Sequence, residues 1–210
     1  MARFFRIIVS LLVLLLLQAC CLRPARVADD PGACPASSFR WLTTSNRGER
    51  HLSRYDFLIK KYASRIGMDW RLLAAIIFHE SKYNETALSP MQAKGLMQLR
   101  DVAAVHYGMP EADLFDPETN IHIGTLLLDD LVRQFRQEGI EEADVIRFAI
   151  ASYNVGGGSL ARRRAETDSL GLDPNVWSDV ASVFLRDSIT TPAYIDAVEA
   201  TYQRYSSIIK

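Results

Sequence analysis

The sequence predicts an all-α fold for most of a chain of 210 residues, and two features of its hydrophobic pattern support this prediction. Apolar residues recur at helical spacing through most of the chain after His51, whereas strand signals are sparse. The 3 cysteines all precede Pro35, so the domain has neither a disulfide framework nor a thiol nucleophile. With 49% hydrophobic and 23% charged side chains, the composition is typical of one globular domain with an appended segment.

Residues 1–19 are predicted to form a signal peptide. Arg3 and Arg6 precede an apolar run, Ile7 to Leu17, which is too short for the roughly 20 residues that span a bilayer. The run ends in "LQAC", which resembles the bacterial lipobox, and the resemblance implies that Cys20 is lipidated and becomes the mature N-terminus. An ordinary secretory signal and an uncleaved anchor are the alternatives. All three place the domain outside the cytoplasm.

Residues 20–50 are predicted to be a tether because they lack hydrophobic periodicity. An oxidising compartment would permit a disulfide between Cys21 and Cys34, and the sequence leaves this pairing open. A cysteine instead of an aspartate after the lipidation site favours an outer membrane, with the domain facing the periplasm. Two of the 24 basic residues lie in residues 1–19, so the remainder has no basic excess that would recruit nucleic acid.

The domain itself is predicted to cover residues 51–210. Its helices are expected at 51–66, 70–83, 95–107, 117–138, 141–154, 158–168 and 192–207, with short turns near 176–186. Asp69 is a suitable N-cap for the second helix, and Asp116 followed by Pro117 is a typical helix start. The glycines Gly156 to Gly158 are expected to end the fifth helix.

Glu80 lies where the apolar face of the second helix should continue. Leu72, Ile76 and Glu80 recur at a spacing of four, with Leu73 and Ile77 beside them, so the carboxyl is predicted to be half-buried. Desolvation disfavours the ionised form and raises the pKa of a carboxyl, which is the property that a general acid needs. A glutamate one turn from a helix end can also simply leave the core there. Periodicity alone leaves both interpretations open.

Separate motifs surround Glu80 in the sequence and agree in their order. They are "HES" at residues 79–81, "ALSPMQAKGLMQL" at 87–99, "DPETNI" at 116–121 and "AIASYNVGGG" at 149–158. Together they resemble the goose-lysozyme-like catalytic domain of bacterial lytic transglycosylases, of the soluble type that also forms the C-terminal half of the membrane-bound class F enzymes. The resemblance covers about residues 52–207 and implies a lysozyme-like, mainly α-helical single domain with a substrate cleft.

The resemblance implies one catalytic residue and a set of substrate-binding positions. Glu80 corresponds to the catalytic acid of the family. The positions implied for substrate binding are Ser81, Ser89, Gly95, Met97, Gln98, Tyr153, Asn154 and, from the segment "TPAYIDAV", Tyr194. The chain departs from the family pattern at Gln92, where a glycine is usual, and at Arg100 and Asp101, where Met-Pro is common. Tyr153 also ends an apolar stripe, so a structural tyrosine bonded to backbone is the alternative at that position.

The activity that the resemblance implies is cleavage of the β-1,4 bond between N-acetylmuramic acid and N-acetylglucosamine without water, which leaves a 1,6-anhydromuramoyl end. Glu80 would serve as the single general acid and base. A muramidase that uses water is an alternative, and it would require a second carboxylate such as Asp101 or Glu85. A glycan-binding envelope lipoprotein without activity is another.

No cofactor is implied, and no metal is expected because "HE" lacks the second histidine of a zinc helix. The expected partners are peptidoglycan glycan strands and, through the lipid anchor, a membrane; a monomer is expected. The basic segment "ARRRAE", residues 161–166, is interpreted as a solvated face. Its contact with anionic peptide stems or phosphates of the envelope is the alternative.

Overall fold

The computed structural model describes residues 43–44 and 50–209. The predicted signal peptide, the predicted lipidation site Cys20 and the cysteines Cys21 and Cys34 lie outside the described residues. The described part consists of α-helices and one small two-stranded sheet, which confirms the predicted all-α class. The helices are α1 (Asp56–Arg65), α2 (Trp70–Ser81), α3 (Asp101–His106), α4 (Pro117–Gln137), α5 (Glu142–Val155), α6 (Gly157–Ser169), α7 (Trp177–Arg186) and α8 (Thr191–Ile208).

The sheet precedes the helices and consists of β1 (Thr43–Thr44) and β2 (Arg50–His51). The two strands are antiparallel, with Thr43 opposite His51. This pairing falls within and next to the segment that the sequence analysis interprets as a tether, where no strand was predicted.

Helix α2 is the most deeply buried element of the described part. Residues 72–77 are buried without interruption, so the helix contacts neighbours on all sides over this stretch. It packs mainly along α8 and also contacts α1, while α4 packs along α5. The Asp69 side chain caps α2 by accepting a hydrogen bond from the Arg71 amide at 2.9 Å, as predicted.

Two predicted helix boundaries are wrong, each for a local reason. Helix α1 begins at Asp56, five residues later than predicted, because the Asp56 carboxylate accepts the amides of Leu52 and Ser53, both at 2.8 Å, and holds them in a turn. Residues 95–100 are a loop because Gly95 and Gln98 have positive φ angles of 72° and 50°. Only α3 remains of the helix predicted at 95–107.

The segment predicted as short turns near 176–186 is the ten-residue helix α7. Its buried residues include Trp177, Val180, Val183 and Phe184, which follow helical spacing. Among the described helices, none has the length and apolarity that crossing a bilayer requires.

Candidate active site

Glu80 lies in the last turn of α2, where this buried helix reaches the surface. Its side chain is half-buried, as the periodicity predicts. The helix ends immediately afterwards because Lys82 has a left-handed conformation, φ 54°, and its amide bonds to the Phe78 carbonyl at 3.0 Å. A carboxyl that follows an uninterrupted buried stretch is therefore placed at the rim of the core.

Burial raises the pKa of the Glu80 carboxyl above its ordinary value. The Tyr194 hydroxyl, which donates a hydrogen bond to Glu80 Oε1, and the charge of Lys82 act in the opposite direction and lower this pKa, but burial dominates. Burial and the Glu80 charge in turn raise the pKa of Tyr194, so its hydroxyl keeps its proton and acts as a donor. The site thus holds a carboxyl with an elevated pKa beside a neutral phenol.

Tyr194 is held in place by a neighbour of Glu80. The ring of His79 lies edge-on to the Tyr194 ring, with 6.1 Å between the centroids, and His79 Nε2 lies 2.8 Å from Thr201 Oγ1. His79 belongs to α2, whereas Tyr194 and Thr201 belong to α8. The contact between these two helices therefore sets the position of the hydroxyl that bonds Glu80.

Tyr153, in the last turn of α5, connects the site to the loop at residues 87–99. Its hydroxyl donates a hydrogen bond to the Met97 carbonyl at 2.6 Å. Burial and, to a smaller extent, the charge of Glu80 raise the pKa of Tyr153. The hydrogen bond to Met97 is the backbone contact expected of a structural tyrosine, and a role in substrate binding stays a prediction.

Asn120, in α4, holds the same loop from the other side. Its Oδ1 accepts the Met97 amide at 2.7 Å, and its Nδ2 donates to the carbonyls of Leu114 at 2.8 Å and Lys94 at 2.9 Å. The side chain is fully buried. Sequence reasoning assigned "DPETNI" to helix capping, and Asp116 does cap α4 through the Thr119 amide at 2.8 Å. The role of Asn120 was not predicted; the sequence feature that marks it is an amide side chain at the start of an apolar helix face.

Gly95 and Met97 stabilise the loop, Gly95 by allowing a close backbone approach and Met97 by packing its side chain in the core. A Cβ on Gly95 would lie 2.3 Å from the Leu114 carbonyl oxygen and 2.5 Å from Asn120 Nδ2, so only glycine fits there. The Met97 side chain is fully buried against Gly124, where an added Cβ would lie 2.4 Å from its sulfur. The predicted substrate-binding position at Met97 is thus occupied by a core side chain, and only its backbone faces Tyr153.

Ser89 and Gln98 also brace the loop. Ser89 Oγ accepts the amides of Met91 at 3.2 Å and Ala93 at 3.0 Å. Gln98 Nε2 donates to the Gly95 carbonyl at 3.0 Å. Gln92, which departs from the family pattern, has a φ of 62°, a conformation that glycine adopts more easily. The side chains of Ser89 and Gln98 thus bond to the backbone of the loop itself.

The remaining predicted positions lie around the ends of α2 and α5. Ser81 directly follows Glu80, and its hydroxyl bonds to the Ile77 carbonyl at 3.3 Å. Asn154 is exposed, and its Oδ1 accepts a hydrogen bond from Thr191 Oγ1 at 3.1 Å. This bond joins the end of α5 to the start of α8, three residues before Tyr194.

The two carboxylates considered as a second catalytic group have other partners. Asp101 Oδ1 accepts a hydrogen bond from Lys94 Nζ at 2.7 Å. Glu85 pairs with Arg54 at 2.9 Å and also accepts a hydrogen bond from the Tyr55 hydroxyl. Each of these two carboxylates is thus paired with a cation. Of the three carboxyls considered, Glu80 is the one whose pKa is raised by burial.

Comparison with known proteins places this arrangement in a family. A family model described as the transglycosylase SLT domain matches residues 57–175. The chain is 41% identical over 138 residues to a membrane-bound lytic murein transglycosylase F from Marinobacter nauticus, a match covering 63% of this chain and 26% of that protein. A protein of the same name from Shewanella frigidimarina is 37% identical over 132 residues, covering 63% and 27% respectively.

The fold comparison agrees. The 70 kDa soluble lytic transglycosylase from Escherichia coli superimposes with a TM-score of 0.57 at 29% identity, covering 76% of this chain and 25% of that one. The chain therefore belongs to the transglycosylase SLT domain family, and its helical fold is lysozyme-like. It spans about a quarter of the length of the curated relatives that it matches.

Proposed function

We propose that the chain is a murein lytic transglycosylase. It cleaves the β-1,4 bond between N-acetylmuramic acid and N-acetylglucosamine, and Glu80 is its single general acid and base. The observation that carries the proposal is the environment of Glu80, a half-buried carboxyl whose pKa is raised by burial and whose Oε1 accepts a hydrogen bond from Tyr194. A raised pKa retains a proton nearer to neutral pH, as proton donation to a leaving group requires. Membership of the family supports the same chemistry.

The proposed reaction uses the Glu80 carboxyl twice. In the first step its proton passes to the glycosidic oxygen, the bond from that oxygen to C1 of the muramic residue breaks, and Glu80 becomes a carboxylate. In the second step the muramic 6-hydroxyl attacks C1 and gives its proton to Glu80. The product is a 1,6-anhydromuramoyl end, no water is consumed, and the acid is restored.

The environment of Glu80 suits both steps. The hydrogen bond from Tyr194 stabilises the carboxylate that forms in the first step, and burial favours its return to the protonated form in the second. Hydrolysis would instead require a second carboxylate to activate water. Because Asp101 and Glu85 are paired with Lys94 and Arg54, the acetamido group of the substrate is the better candidate to stabilise the cationic centre.

The test is product analysis of purified sacculi digested by the wild type and by Glu80→Gln. A positioned acid and base contributes on the order of 10²–10⁴ in rate, which is about 3 to 5.5 kcal/mol of barrier. Glu80→Gln should therefore fold normally and release almost no product. Mass spectrometry of the wild-type products should show anhydro ends, which are lighter than reducing ends by one water.

Glu85→Gln and Asp101→Asn are the matched controls, because each removes one carboxylate considered for a hydrolytic mechanism. Both should retain most of the activity and the anhydro product. Reducing ends from the wild type, or loss of activity in either control, would instead support a muramidase. Substantial turnover by Glu80→Gln would remove Glu80 from the catalytic role.

The proposed location is the cell envelope, with the domain facing the periplasm and held to the outer membrane by a lipid on Cys20. The apolar run and the lipobox resemblance support this proposal, and the matched relatives are named membrane-bound. Labelling of the full chain with palmitate in cells, lost on Cys20→Ser, tests it. Labelling that persists in Cys20→Ser would refute the assignment of the lipid to Cys20.

A further inference from the structure

A pocket of about 440 Å³ opens between α6, α7 and the segment that leads into α8. Its apolar wall includes Val155, Phe184 and Ile189. Val155 directly follows Asn154, and Ile189 lies just before α8, the helix that carries Tyr194. The pocket therefore lies at the end of the helix that carries Tyr153 and at the start of the helix that carries Tyr194.

The polar wall of the pocket carries one positive charge in excess, since it includes Arg162, Arg163 and Glu166. Arg163 Nη1 binds Glu166 Oε2 at 2.9 Å and also bonds to Asp187, while Arg186 bonds to the other oxygen of Glu166. These charges compensate one another within the protein.

Arg162 differs from its neighbours. Its guanidinium bonds to Ser159 Oγ at 3.0 Å, and within residues 50–209 no carboxylate lies at ion-pair distance from it. The first turn of α6 also contains no acidic residue that would compensate it. Arg162 therefore presents an uncompensated cation beside an apolar wall, a combination that suits a ligand with one negative charge and a small apolar group.

We propose that this pocket binds a carboxylate of the peptide stem that a murein strand carries next to the linkage that Glu80 cleaves. The inference rests on the proposed function, because it assigns the pocket to the same substrate. In a peptide-bearing strand the lactyl carboxyl of each muramic residue is bound to the peptide as an amide, so the anionic groups of the substrate lie on its peptides. The single uncompensated cation of Arg162 matches one carboxylate better than a dianion such as phosphate, while Val155 and Ile189 suit the methyl group of an alanine.

The test compares two substrates with the full chain. One is peptide-bearing sacculi, and the other is the same glycan strands after an amidase has removed the peptides. Arg162→Gln should lower kcat/KM on the peptide-bearing strands by about ten-fold, the effect of one lost hydrogen-bonded charge contact. It should lower turnover of the stripped strands clearly less, because these strands lack the stem carboxylates and keep only the lactyl carboxylate that the amidase frees on each muramic residue. Arg162→Lys should recover part of the loss, and Arg162→Glu should deepen it.

Arg133→Gln is the matched control, since Arg133 is exposed and its ion pairs within residues 50–209 are with Asp129 and Asp130 of its own helix. It should not change either rate. Equal losses of Arg162→Gln on both substrates, or no loss on either, would overturn the proposal. Circular dichroism and thermal melting of each variant would show whether a loss reflects misfolding.

A binding measurement separates this inference from the proposed function. In a Glu80→Gln background, the affinity for N-acetylmuramoyl-L-alanyl-D-isoglutamine, measured by calorimetry, should fall by about ten-fold on Arg162→Gln. This result would support the pocket even if the wild type proved inactive on murein. If Arg162→Gln weakened binding of inorganic phosphate and left the muramoyl dipeptide unaffected, the pocket would be a simple anion site and the inference would be wrong.

Discussion

Replacing Asn120 by alanine tests whether the loop at residues 87–99 depends on one buried amide. The Asn120 side chain is fully buried and makes three hydrogen bonds, all to backbone groups. It accepts the Met97 amide, and it donates to the carbonyls of Leu114 and Lys94. Alanine removes all three bonds without supplying a new partner.

The expected cost follows from the burial of these partners. The bonds to Met97 and Leu114 are buried, whereas the bond to Lys94 is partly buried. A buried backbone group left without a partner costs about 1–3 kcal/mol. Two such groups give a loss of roughly 2–6 kcal/mol in the free energy of unfolding. Asn120→Asp should not rescue the loss, because its second oxygen would face two carbonyl oxygens.

Urea unfolding at pH 7 measures this loss, and Asn84→Ala provides the control. Asn84 is exposed and bonds only locally, to the Thr86 amide at 3.1 Å and hydroxyl at 2.9 Å, so its replacement should cost about 0.5 kcal/mol. Activity on murein should fall more in Asn120→Ala than its folded fraction explains, because the Met97 carbonyl positions Tyr153. A free energy of unfolding within about 1 kcal/mol of the wild type would refute the role of Asn120.

Two further predictions concern the acidity of Glu80. Tyr194→Phe removes a hydrogen bond that lowers the pKa of Glu80, so the alkaline limb of the pH–rate profile should move to higher pH; a shift to lower pH would contradict this assignment. Burial raises the pKa of Glu80 in the folded state, so the fold is destabilised increasingly as the pH rises from the unfolded pKa to the folded pKa; the penalty is complete above the folded value and absent below the unfolded one. Glu80→Gln should therefore raise the free energy of unfolding by about 1 kcal/mol at pH 8, a shift of roughly 3 °C in Tm. It should change little at pH 4, and thermal melting that shows the same shift at both pH values would refute this explanation.

The helical core was predictable from sequence because its signals are local and repeated. The buried stretch of α2 follows from six consecutive apolar residues at 72–77, and the caps at Asp69 and Asp116 form as predicted. The loop at 95–100 was not predictable from periodicity, since Leu96, Met97 and Leu99 are buried in a non-helical segment. A short apolar run in a loop has the same composition as a helix, and the positive φ angles of Gly95 and Gln98 distinguish the two.

In the candidate site, too, features set within one helix were predictable from sequence, whereas contacts between residues far apart in the chain were not. A half-buried Glu80 follows from the spacing of Leu72, Ile76 and Glu80 along one helix face. The bonds from Asn120 to Met97 and from Tyr194 to Glu80 join residues that are 23 and 114 positions apart. No periodicity within one helix can indicate such pairs. The resemblance to a family implied roles for Glu80, Met97 and Tyr194 but not the contacts between these residues and their partners.

The packing of α2 against α8 ties the acidity of Glu80 to the fold. Burial at the end of α2 raises the pKa of Glu80, and Tyr194, carried by α8, lowers it. His79 contacts both Tyr194 and Thr201, so it holds the tyrosine at the distance at which its hydroxyl reaches the carboxyl. If α8 moved away, water would reach Glu80 and the hydrogen bond would be lost together, and these two changes shift the pKa in opposite directions. Because burial is the larger effect, the pKa of Glu80 would fall, and the carboxyl keeps its proton nearer to neutral pH only while both helices are packed. The same contact thus serves both the core and the proposed chemistry.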